Sequence, residues 1–95
     1  MLRKLDNKTV QGNGFTVTVP TIHEVRYTAG EKTLTVEIEG GTGQNDQVEW
    51  DVYSDTMRGW LPPHHLDRFT YEDKQRVLRN ISESLRVLGM KHQIV

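Results

Sequence analysis

Ninety-five residues suffice for one domain and are too few for two. At 35% hydrophobic and 26% charged residues the core is small, so a partner or a second copy has room to add buried area. A formal net charge of −1 excludes the global positive field of a non-specific DNA binder, and the absence of cysteine excludes disulfides, thiolate chemistry and thiolate zinc sites.

No apolar run follows Met1-Leu2-Arg3-Lys4, and none of ~18 apolar residues occurs anywhere, so a cytoplasmic protein without membrane contact is expected. Residues up to Lys8 carry no pattern and stay unassigned. Thr9–Gln11 and Phe15–Val19 flank Gly12-Asn13-Gly14, a spacer suited to a tight hairpin. Pro20 cannot donate to a ladder and should end the second of these strands. His23, Val25 and Tyr27 then alternate with Glu24, Arg26 and Thr28; beyond Ala29-Gly30-Glu31-Lys32, Leu34, Val36 and Ile38 alternate with Thr35, Glu37 and Glu39. Gly40–Asp46 has the composition of a connecting loop without the spacing of a phosphate-binding one. Val48, Trp50 and Val52 define a further strand.

Ser54–Asp67 breaks all periodicity and holds Arg58-Gly59-Trp60-Leu61-Pro62-Pro63-His64-His65. From Phe69 the period changes. Val77, Leu78, Ile81, Leu85 and Leu88 fall on one stripe at about 100° per residue, which predicts a helix over about 71–88. Thr70 stands as N-cap with Asp73 three residues on, and Gly89 with Met90 fits a Schellman stop. On the outer face, Glu72 with Arg76 and Glu83 with Arg79 or Arg86 have pairing distance, which reads as a solvated surface. Lys91–Val95 has the alternation of a short last strand.

These elements predict a single α+β domain over 1–95: two layers, an antiparallel sheet of about four to five strands, and a single C-terminal helix covering one face. The uncovered face is where function is sought. It should carry Thr16, Thr18, Glu24, Arg26, Thr28, Thr33, Thr35, Glu37, Glu49, Asp51 and Tyr53, an acidic surface suited to a basic protein partner. Trp60 and His64, on the proline loop, form a second candidate contact, although a tryptophan so placed more often caps the end of a small core. The candidate partner-binding set is therefore Glu24, Arg26, Glu37, Glu49, Asp51, Tyr53, Trp60 and His64.

Catalysis is not expected. His64-His65 with Asp67 lacks metal-ligand spacing, Glu49 and Asp51 lie outside any cleft, and Ser82 and Ser84 have no base near them in sequence. No cofactor is expected either.

The run Arg26-Tyr27-Thr28-Ala29-Gly30-Glu31-Lys32-Thr33-Leu34-Thr35-Val36, then Trp60-Leu61-Pro62-Pro63-His64 and a capped helix bearing arginines, resembles the immunity protein 74 family. The resemblance spans about Val25 to Leu88. It departs at the amino-terminal hairpin and at Leu61, where an acidic residue would be expected. It implies a non-catalytic bacterial protein that binds and neutralises the toxin domain of a polymorphic toxin system, and it carries over no contact residue. By topology alone the chain also resembles Pur-like and Whirly-like modules, which bind single-stranded nucleic acid as dimers. The sign of the exposed face argues against that alternative.

Overall fold

The chain from Arg3 to Tyr53 forms six strands in the computed structural model, which describes residues 1–42 and 48–95. They are β1 (Arg3–Asp6), β2 (Thr9–Gly12), β3 (Phe15–Thr21), β4 (Glu24–Ala29), β5 (Lys32–Thr42) and β6 (Val48–Tyr53), each antiparallel to its predecessor. A 3-10 turn (Ser54–Thr56) and a long loop lead to α1 (Tyr71–Val87), and β7 (His92–Ile94) then adds parallel to β6. One seven-stranded sheet results, with its strands in sequence order.

The α+β architecture with one helix is as expected, but the sheet is larger and mixed. Arg3–Asp6, unassigned from sequence, pairs with β2 although all four of its residues are exposed, so burial left no periodic trace there. The parallel pair arises because the loop and α1 carry the chain back to the start of the sheet edge, the long crossover that parallel neighbours require. Pro20 does not end β3; the strand continues to Thr21, and the ladder to β4 is irregular between Thr18 and Thr21, where a missing N–H is tolerated. Gly40, Gly41 and Thr42 continue β5 instead of opening a loop; Gly43–Asp46 of that expected connector lie outside the described residues.

The core follows the strand register. Val10 lies opposite Val17, Val17 opposite Tyr27, Tyr27 opposite Leu34, Val25 opposite Val36 and Ile38 opposite Val52, all buried on one face. Val77, Leu78, Ile81 and Leu85 of α1 close over that face. The polar tip of Tyr27 is satisfied by Asn80, whose Nδ2 donates to the phenolic oxygen at 3.0 Å. Ser84 shares the buried stripe; its hydroxyl donates to the Asn80 carbonyl at 2.7 Å and is not orphaned.

The helix ends explain its position. Thr70 Oγ1 accepts from the Asp73 N–H at 3.1 Å and Asp73 accepts from the Thr70 N–H at 2.9 Å, a reciprocal capping box. At the other end Met90 N–H donates to the Leu85 carbonyl and Gly89 N–H to that of Arg86, with Gly89 at φ 76°, the Schellman geometry. Thr70→Ala should lower stability by about 1 kcal/mol, read from urea unfolding. The Thr70 N–H, with help from Arg76, holds the Asp73 carboxyl below the ordinary aspartate value of 3.8. A depressed folded value means that this contribution is present above the unfolded value and is lost as pH falls through the folded one. Asp73→Asn should accordingly flatten the loss of stability below about pH 4 relative to the parent.

Candidate partner-binding face

Alternation sends every second strand residue away from α1, and no element of the described chain covers that side. Along β2 to β5 it is a threonine surface: Thr9, Thr16, Thr18, Thr28, Thr33 and Thr35, with the Thr9 and Thr18 hydroxyls 3.1 Å apart. Across β4 to β7 the surface becomes acidic, with Glu24, Glu37, Glu39, Glu49 and Asp51 set against Arg26 and Lys91.

Six of the eight candidate residues thus stand together here: Glu24, Arg26, Glu37, Glu49, Asp51 and Tyr53. Across β4 to β7, two charged members of the face escaped the sequence reading. Glu39 continues the β5 alternation past Glu37, and Lys91 joins because β7 docks beside β6, placing its Nζ 2.9 Å from Glu49. The first was legible from the period; the second depended on the parallel pairing.

The charge arrangement is costly to the fold. Glu24 lies directly opposite Glu37, and Glu39 directly opposite Asp51. Like charges at facing positions of an antiparallel pair destabilise it. Relief is partial. Arg26 reaches Glu24 at 3.2 Å, Gln93 donates to Asp51 at 2.7 Å, and Tyr53 donates its hydroxyl to Glu39 at 2.9 Å. The Glu39 carboxylate in turn pushes the Tyr53 hydroxyl above its ordinary value. Among the described residues Glu37 has no ion-pair partner. Between Glu37, Glu39, Tyr53 and His23 lies a hollow of about 360 Å³.

Trp60 and His64 lie elsewhere. Trp60 packs edge-on to Phe69 at 5.6 Å and against Tyr27 at 6.4 Å, on the helix side near the start of β5. Its loop is fixed by the Leu61 N–H on the Thr33 carbonyl at 2.7 Å and by Lys32 on Asp67 at 3.0 Å; His64 joins Asp67 at 3.2 Å. The carboxyl of Asp67 is held low, chiefly by Lys32. The proline loop and the acidic face therefore form two separate surfaces.

The helix charges pair differently from expectation. Arg76 bonds Asp73 at 2.8 Å instead of Glu72, and among the described residues Arg79 and Arg86 make no ion pair. Ser82 does have a base: His92 Nε2 lies 2.7 Å from its Oγ, while His92 Nδ1 lies 2.9 Å from the Met90 carbonyl. Only a donor can face a carbonyl, so in the neutral ring Nδ1 carries the proton and Nε2 accepts from the serine. The contact is a tie between α1 and β7. Ser82 stands mid-helix, where backbone N–H groups are already spent on the helical ladder and cannot serve an oxyanion.

The described chain is a sheet backed by one helix, with an open charged face. Residues 15–95 match the model of the Immunity protein 74 family, and the chain belongs to that family. The match takes in β3 and β7, beyond the stretch that carried the resemblance, and leaves β1 and β2 outside. No curated protein and no solved structure matches the chain.

Proposed function

We propose that this chain is a non-catalytic immunity protein of a polymorphic toxin system, which binds the toxin domain in the cytoplasm of the producing cell and occludes it. Family membership supports an immunity role. The observation that carries the mode of binding is the pair of like-charged residues at facing strand positions, Glu24 opposite Glu37 and Glu39 opposite Asp51, kept on an uncovered face. Such placements lower stability, and a partner bringing lysine and arginine to the face recovers the loss on binding. A toxin with a basic substrate cleft, such as a nuclease, has the matching field, and covering that cleft needs no chemistry.

The test is co-expression with the toxin domain encoded beside this gene. Cells should survive and the two chains should co-purify as a complex that high salt loosens. Survival without a complex would overturn the reading. The nucleic-acid alternative predicts saturable, salt-sensitive binding of a fluorescent oligonucleotide; with five carboxylates against Arg26 and Lys91 across β4 to β7, none is expected.

A further inference from the structure

We propose that the groove beside Trp50 receives an apolar side chain that the toxin presents amid basic residues, an inference that rests on the functional reading above. β5 outruns its neighbour. Its pairing with β4 stops at Glu37 opposite Glu24, whereas its pairing with β6 continues to Thr42 opposite Val48. The Ile38 N–H still reaches the His23 carbonyl at 3.0 Å; beyond it, the β5–β6 arm stands off from the β3–β4 turn and leaves a groove.

Trp50, Ile22, Val19, Val48 and Met90 give that groove its apolar floor, with Lys8 at one end and Glu39 at the other. Trp50 lies opposite Gly40, and a Cβ at Gly40 would stand 3.0 Å from the indole, so the ring rests on bare backbone. Ile22, 65% exposed, and Val48, 56% exposed, flank it. Two hollows share Ile22 and Trp50: one of about 230 Å³ reaches Val19 and Met90, the other of about 450 Å³ reaches Val48 and Glu39. Tryptophan is enriched among interface hot spots, and the exposed aliphatics beside it extend its apolar surface.

Continuity with the acidic face identifies the occupant. His23 and Glu39 line both the groove and the hollow on that face, so a partner bound to one surface abuts the other. A second copy of this chain is a poor occupant, because a two-fold contact sets each patch against itself and brings Glu39 and its neighbours towards their own equivalents. A basic partner with a protruding leucine, methionine or aromatic residue satisfies both parts, with an apolar centre and a charged rim.

The experiment follows binding of the toxin domain encoded beside this gene, carrying an inactivating substitution, to three chains: the parent, Ile22→Ser with Val48→Ser, and Glu37→Lys with Glu39→Lys. The serine pair, at exposed positions, should melt with the parent and associate at the parent's rate with the same salt dependence. Its complex should dissociate faster by roughly tenfold or more, as loss of an anchor contact requires. If the serine pair dissociates like the parent while the lysine pair binds poorly, the groove is not an anchor site although the acidic face is a contact. If the parent itself does not bind, the functional reading falls and the groove with it. A concentration-dependent dimer of the free parent that the serine pair abolishes would assign the groove to a second copy and also overturn the proposal.

Discussion

Leu85→Ala is expected to lower the unfolding free energy by about 2 to 5 kcal/mol, the range for emptying a well-packed leucine site. Leu85 is 0% exposed and belongs to the one stripe that joins α1 to the sheet. Its carbonyl also receives the Met90 N–H of the Schellman motif, so the backbone around it is pinned and cannot collapse into the space. The site is flanked by Ile81 and Ser84, both buried, and Ser84 adds no bulk to fill a void. Urea unfolding with an unchanged slope would show the loss directly. A change below about 0.5 kcal/mol, the level of surface substitutions, would mean that α1 does not pack on this face.

Most of what places Leu85 was legible in the sequence. The stripe, the Thr70–Asp73 box and Gly89 each record a local rule: a period, a cap and a left-handed residue. The strands from Thr9 to Val52 were legible because one face is buried and the other wet, which writes a period of two into the residues. What escaped lacks that contrast. β1 is exposed throughout; β7 was legible as a short last strand, but its parallel place beside β6 was not, because it depends on the Ser82–His92 tie and the Val95 N–H on the Val52 carbonyl, contacts between distant residues. The acidic face was legible as a set of alternating carboxylates. Its strain was not, because the pairing of Glu24 with Glu37 and of Glu39 with Asp51 depends on register. Trp60 illustrates the opposite limit, since a tryptophan in a proline loop can be read as anchor or as core cap until Tyr27 and Phe69 are seen against it.

Glu37→Lys with Glu39→Lys is expected to separate stability from function. Each lysine would face a carboxylate, Glu24 or Asp51, so both repulsive cross-strand pairings become attractive. Such pairs contribute roughly 0.2 to 1 kcal/mol each, part of it offset by losing the hydrogen bond from Tyr53 to Glu39, so the fold should be as stable as the parent or slightly more so. The face, meanwhile, passes from an excess of negative charge to a slight excess of positive charge. Cells that express the toxin with this variant should lose protection while the variant accumulates to the parent's level. Loss of protection through misfolding would show as lowered stability instead, and thermal unfolding tells the two apart.

The central claim, that the uncovered acidic sheet recognises a basic toxin surface, is tested most directly by stopped-flow association of the inactivated toxin domain with the parent and with Glu37→Lys/Glu39→Lys over a range of ionic strength. Steered association of the parent should slow as salt shortens the screening length below ~8 to 10 Å, and the lysine variant should associate about tenfold or more slowly at low salt. Equal rates for the two chains, with no dependence on salt, would contradict the account and leave the acidic face a solubilising surface.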